Sequence, residues 1–196
     1  MAERLSDTVN TFIAQQVAEW PQAAGNYDAL KGVEVKEIAL PGWTIKVQFN
    51  PARMVSSAAK VDAASLKARK CFLCAENRPD VQRGIDWEEN YTILVNPFPI
   101  FPRHLTIPDK RHTDQLIAGR AADMMRLATA LEGYTVFYNG PRCGASAPDH
   151  MHFQAGNSDF LTLGDALEDT VLKELDADGD STLSLADELP LRVFVI

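Results

Sequence analysis

Apolar side chains recur at Val9, Phe12, Ile13 and Val17, a spacing of three and four that predicts a helix over residues 5–19. Asp7 is its expected N-cap and Pro21 its stop. Val33 to Leu40 and Trp43 to Phe49 read as two strands joined by the turn pair Pro41-Gly42 and closed by Asn50-Pro51. Residues 55–68, rich in Ala and Ser, suit a loop with a short helix. Thr92 to Val95 is a predicted strand, ended by Asn96-Pro97-Phe98-Pro99, and His104 to Ile107 is another, ended by Pro108. Leu116, Ile117, Met124, Leu127 and Leu131 fall on one side of a predicted helix over 113–133. A strand over 134–138 and a Gly/Pro/Ser loop over 139–147 follow, and Met151 to Gln154 begins the next strand. Residues 161–175 read as helix and Leu191 to Ile196 as a final strand.

Strands thus come in adjacent runs with one long helix between them. That pattern predicts an α+β domain with an antiparallel sheet and packed helices, rather than an alternating parallel one. A chain of 196 residues without repeats or linkers fits one domain over 1–196. No apolar run approaches the length of a membrane span, and the polar, acidic start, Met1 to Asp7, lacks the apolar core of a signal peptide. Three cysteines make no secreted disulfide framework, so a reducing cytoplasm is expected. The net charge is −8, without the clustered Lys and Arg that displace counterions from DNA or RNA. Nucleic acid and membrane are therefore not expected partners. A nucleotide remains open, because phosphates are held by local donors rather than by net charge.

Candidate chemistry concentrates in His150-Met151-His152-Phe153-Gln154. Residues two apart on a strand share a face, so His150, His152 and Gln154 project together. Three polar groups on one face are poor core material and suit a site. The loop before them, Asn139-Gly140-Pro141-Arg142-Cys143-Gly144-Ala145-Ser146, offers backbone N–H groups and a hydroxyl for phosphate oxygens. Upstream, Cys71-x-x-Cys74 could be a redox pair, buried thiols or half a zinc site. A redox pair expects a βαβ context, which is missing.

Together, Asn139-Gly140, Gly144-Ala145-Ser146 and His150-x-His152-x-Gln154 resemble the active-site segment of the histidine-triad superfamily. The similarity is to its transferase branch, which includes galactose-1-phosphate uridylyltransferase and diadenosine tetraphosphate phosphorylase. Leu94 to Pro99 resembles that branch's nucleotide-contacting segment, with Asn96 and Phe98 bordering the base. His104 to Pro108 followed by His112 resembles its next strand and helix start. The motif core covers about 69–156, and 8–156 as a whole resembles the bacterial DUF4922 group. The resemblance implies a histidine-triad-like fold and a nucleotidyltransferase or phosphorylase working through a covalent nucleotidyl-histidine. His152 would attack the α-phosphorus, its other ring nitrogen held by the His150 carbonyl. Asn139, Gly144 and Ser146 would hold phosphate oxygens. Gln154 stands where the hydrolases carry a third histidine; glutamine cannot act as a general acid and can only hydrogen-bond a phosphate oxygen. That implies transfer to phosphate or a sugar phosphate. Hydrolysis at the same site, and a nucleotide-binding regulatory protein without turnover, are the alternatives.

The same resemblance implies a structural zinc on Cys71, Cys74, His112 and His150, with His104 as the substitute for His112 if the helix start is misplaced. Arg53, Lys60, Arg69 and Arg142 are candidate phosphate-facing cations, or ordinary solvated charges. The branch commonly carries two histidine-triad-like halves; with one pair here, either a homodimer or a missing C-terminal half is expected. Finally, Asp176 to Asp187 spaces its oxygens like an EF-hand calcium loop. Ser181 at the glycine position, Asp187 at the glutamate position and Pro190 after it favour a solvated acidic turn over calcium.

Overall fold

In the computed structural model, which describes residues 4–51 and 61–196, the chain divides into two compact units. The smaller comprises Val33–Phe49 and Asp159–Ile196, the larger Met1–Gly32 and Asn50–Ser158. No helix among the described residues is long and apolar enough to cross a membrane.

The smaller unit contains the antiparallel hairpin β1 (Glu34–Leu40) and β2 (Trp43–Phe49). Leu40 pairs with Trp43 across Pro41-Gly42, and Gly42 has a φ of 70°. Pro then Gly at a positive φ is the chemistry of a type II turn. Over 161–175 the unit departs from expectation, whereas the strand expected over Leu191 to Ile196 forms over Val193–Val195. Only α5 (Leu163–Glu168) is helical; β8 (Lys173–Asp178), β9 (Ser181–Ala186) and β10 (Val193–Val195) form a three-stranded antiparallel sheet. The candidate calcium loop over 176–187 is the β8–β9 hairpin, with Asp178 opposite Ser181 and Gly179 at a φ of 59°. Its alternating aspartates have the period of a strand, and a paired hairpin lacks the winding of an EF-hand loop. Trp43, Leu163 and Leu167 pack against buried Ala166, Ala186 and Leu189.

The larger unit holds the motifs. Its helices are α1 (Leu5–Glu19), α2 (Pro21–Asp28), α3 (Ala63–Ala68) and α4 (Ala121–Ala130). Its strands are β3 (Gly84–Trp87), β4 (Tyr91–Val95), β5 (His104–Pro108), β6 (Tyr134–Phe137) and β7 (His152–Asn157), ordered β3-β4-β5-β7-β6 and all antiparallel. Alternation divides the sheet into two faces. Tyr91, Ile93, Val95, Leu105, Ile107, Phe153 and Ala155 join the main core with Val9, Phe12 and Ile13 of α1 and Leu127 of α4. Leu94, His104, Thr106, His152 and Gln154 line a cavity instead.

Two helix ends differ from expectation. The N-cap of α1 is Arg4, and Asp7 sits in the first turn, ion-paired to Arg4 at 3.1 Å. The helix expected from 113 begins only at Ala121. Before it, the Thr113 carbonyl accepts from the Met151 N–H and the Gln115 N–H donates to Pro148, so the backbone is already committed. Leu116 and Ile117, which made the stripe, are exposed, and Gly119 turns the chain at a φ of 75°.

A Cβ at Gly156 would overlap the ring of Phe101, which packs edge-on against His104 and Phe137 at centroid distances of 5.1 and 5.9 Å. Gly156→Ala is therefore expected to lower stability by about 1–3 kcal/mol in urea unfolding, the usual cost of overpacking. An unchanged midpoint would contradict this packing.

Candidate active site

The cavity has a volume of about 760 Å³ and lies within the larger unit. Asn96, Phe98, Asn139, Gly144, Ser146, His152 and Gln154 all line it, as does Arg142. The strand β7 delivers His152 and Gln154 to the same face, as its period requires. Gly144 lies in the left-handed region at a φ of 90°, where a side chain would be strained. Arg69 is directed elsewhere, paired with Asp149 at 2.6 Å. Arg53 and Lys60 lie outside the described residues.

His152 is almost fully buried, and its Nδ1 lies 2.8 Å from the His150 carbonyl oxygen. A carbonyl only accepts, so Nδ1 carries the proton and Nε2 keeps its lone pair. Burial holds this imidazole below its usual pKa, against the pull of that hydrogen bond. A neutral imidazole with a free nitrogen can act as a nucleophile.

The neighbouring polar groups are similarly directed. The Ile100 N–H donates to His104 Nδ1 at 3.2 Å, so His104 Nε2 carries the proton and donates to Gln154 Oε1 at 3.0 Å. That engages the Gln154 oxygen and leaves its NH₂ as the donating end. His104 therefore belongs to the cavity wall and does not replace His112. Asn96 donates to Thr106 at 2.9 Å and accepts from the Phe98 N–H at 2.8 Å, fixing the segment that places Phe98.

Cys71, Cys74, His112 and His150 form a cluster whose ligand atoms all lie within 4.8 Å of one another. His150 Nδ1 is 3.2 Å from Cys71 Sγ, and His112 Nδ1 is 3.2 Å from Cys74 Sγ. His150 Nε2 donates to the Asp109 carbonyl at 2.8 Å, so its Nδ1 lone pair faces the thiols. Burial pushes the Cys71 thiol up, but sharing its proton with His150 Nδ1 and accepting from the Leu73 and Cys74 amides outweigh it and bring it down to about 6. Burial, with the Cys71 charge beside it, pushes Cys74 up to about 11. Two thiols and two imidazoles at this range are suited to share one cation. This group can hold a metal ion.

Two supporting residues carry no sequence signal. The carboxylate of Asp109 is fully buried; it accepts from Arg120 at 2.6 Å and from the Arg111 N–H at 2.8 Å. Gln115, fully buried, bonds to His152 and to Asn139. A run read as helix hid it.

The sequence matches the domain of unknown function DUF4922 over residues 12–157. It is 29% identical to diadenosine 5',5'''-P1,P4-tetraphosphate phosphorylase 2 of Saccharomyces cerevisiae over 137 residues, covering 62% of this chain and 42% of that protein. The crystal structure of yeast Ap4A phosphorylase Apa2 in complex with Ap4A superposes with a TM-score of 0.52 at 19% identity, covering 86% of this chain and 61% of that one. The chain thus spans less than half the length of the curated relative. These matches agree with the transferase-branch resemblance of the motifs.

Arg120 stands over a carboxylate that has no exposure, and the Asp109 carbonyl anchors His150. Arg120→Met leaves that charge only the Arg111 N–H and the exposed Arg111 guanidinium at 3.7 Å, and is expected to cost about 3 kcal/mol in urea unfolding, as when one partner of a buried pair is removed. A loss below about 0.5 kcal/mol, typical of surface positions, would contradict the assignment.

Proposed function

Because the chain belongs to the DUF4922 family and shares its fold with Ap4A phosphorylase Apa2, we propose that it is a nucleotidyltransferase or phosphorylase acting on a nucleoside polyphosphate through His152. The observation that carries this reading is the His152 Nδ1 to His150 carbonyl bond, which frees Nε2 of a residue that lines the same cavity as Gln154 and Ser146.

In the first step Nε2 attacks the α-phosphorus. An N–P bond forms, the bond from phosphorus to the bridging oxygen breaks, and the remaining phosphates leave as an anion. A polyphosphate leaving group needs no proton from the site, so a glutamine suffices where a general acid would otherwise be required. In the second step an oxygen of inorganic phosphate or a sugar phosphate attacks the same phosphorus and His152 recovers its lone pair. Gln154, whose oxygen is engaged by His104, offers its NH₂ to a phosphate oxygen. Asn139, Gly144 and Ser146, which line the cavity, would hold the remaining oxygens, and Asn96 and Phe98, also in its wall, would border the base.

Zinc is the metal that Cys71, Cys74, His112 and His150 suit. Four protein ligands would leave no open position, so the ion would be structural: it would hold His150, and through its carbonyl the ring of His152.

Incubation with diadenosine tetraphosphate, an alkaline quench and intact-mass measurement test the reading. Wild type is expected to gain one AMP, discharged by inorganic phosphate faster than by water, and His152→Ala to lose turnover by roughly 10³-fold or more. Discharge by water alone would mean hydrolysis. Nucleotide binding without any adduct would overturn transfer in favour of a regulatory role.

Metal analysis of the purified protein is expected to find one zinc per chain, lost in Cys71→Ser. Full zinc content in that variant would remove the cluster as the site.

A further inference from the structure

The strand β6 pairs with β7 as far as Phe137 opposite Gln154. Two more residues of ladder would set Asn139 opposite His152, but β6 ends at Phe137 and the chain leaves for the 139–147 loop. Peptide groups along a strand face alternate neighbours. The Met151 carbonyl accepts from Asp109 on the β5 side, so the His152 N–H and C=O face the gap left by β6.

The carboxamide of Gln115 fills that gap. Its Oε1 accepts from the His152 N–H at 2.7 Å and its Nε2 donates to the His152 carbonyl at 3.0 Å. A partner strand residue would make the same two bonds. The second amide proton goes to the carbonyl of Asn139, 2.9 Å away, where the departing strand begins. Gln115 is itself held, its N–H on Pro148 at 3.3 Å and its carbonyl accepting from the Tyr138 hydroxyl at 2.7 Å. One fully buried residue therefore ties His152 to both ends of the loop that lines the cavity.

We propose that Gln115 is a positioning residue for transfer through His152: its side chain replaces a missing rung of the sheet and sets the attacking nitrogen against the Asn139–Ser146 loop. This rests on the reading of His152 as nucleophile. An uncorrected displacement of about 1 Å at a reacting centre costs on the order of 10²-fold in rate.

Gln115→Met keeps the length and removes all three side-chain bonds. Gln115→Asn keeps the amide but is one methylene short, and serves if the Met variant does not fold. In either, single-turnover formation of the AMP adduct from diadenosine tetraphosphate is expected to slow by about 10- to 100-fold. AMP affinity should fall by less than the adduct rate, because the Gln115 carboxamide bonds to backbone groups and acts on the position of His152 rather than on nucleotide; a fall in affinity as large as the fall in rate overturns the proposal. The His152 amide, read by hydrogen exchange in NMR without nucleotide, should exchange at least about tenfold faster while Ala155 keeps its protection. Unchanged His152 exchange overturns the proposal. Faster exchange with a wild-type adduct rate also overturns it, since the amide would then be merely structural. Failure of the wild-type protein to form an adduct overturns the transfer reading instead, and the exchange data separate the two failures.

Discussion

The arrangement depends on one backbone carbonyl, that of His150. It accepts from His152 Nδ1 and so decides which nitrogen of that ring is free. The side chain of the same residue points the other way, with Nδ1 toward Cys71 and Nε2–H on the Asp109 carbonyl. His150 is fully buried between these partners and cannot turn without breaking bonds on both sides. The cluster and the candidate nucleophile are thus joined by a single residue. A closed metal site on that residue would act on the chemistry by holding geometry rather than by touching substrate.

The sheet supplies the rest of the order. One face is dry and packs on α1 and α4; the other carries His104, Thr106, His152 and Gln154 at the period of two that a strand imposes. Polar side chains in the middle of a sheet are costly unless each has a partner, and here they satisfy one another in a fixed direction. The Ile100 amide sets His104, and His104 sets Gln154. Where β6 stops short, Gln115 takes over the ladder. The opening needed for a cavity and the rigidity needed for a site are obtained together.

Most of the candidate site was legible in the sequence because its motifs are local. The His150-x-His152-x-Gln154 spacing places three groups on one strand face whatever the fold, and the resemblance linked it to Cys71, Cys74 and His112, which the fold gathers within 4.8 Å. The β1–β2 hairpin was legible from Pro41-Gly42. The run from Thr113 was not, because Leu116 and Ile117 imitate a helical stripe while both are exposed and the backbone is bonded to Pro148 and Met151. Gln115 lay inside that misread run, and nothing local marks an amide that serves as a strand. Asp109 was missed likewise, since its partner Arg120 is contributed by folding. Over 176–187, Ser181 and Asp187 favoured a solvated acidic turn over a calcium loop, and the exposed β8–β9 hairpin agrees; its flanking strands were not legible, because alternating aspartates suit a loop as well as a strand.

The most direct test of His152 as nucleophile is the ¹⁵N NMR spectrum of its imidazole in the metal-loaded protein near neutral pH. A neutral ring is expected, with a protonated Nδ1 and an unprotonated Nε2. A ring protonated at Nε2, or on both nitrogens, would contradict this, because His152 would then have no lone pair to offer.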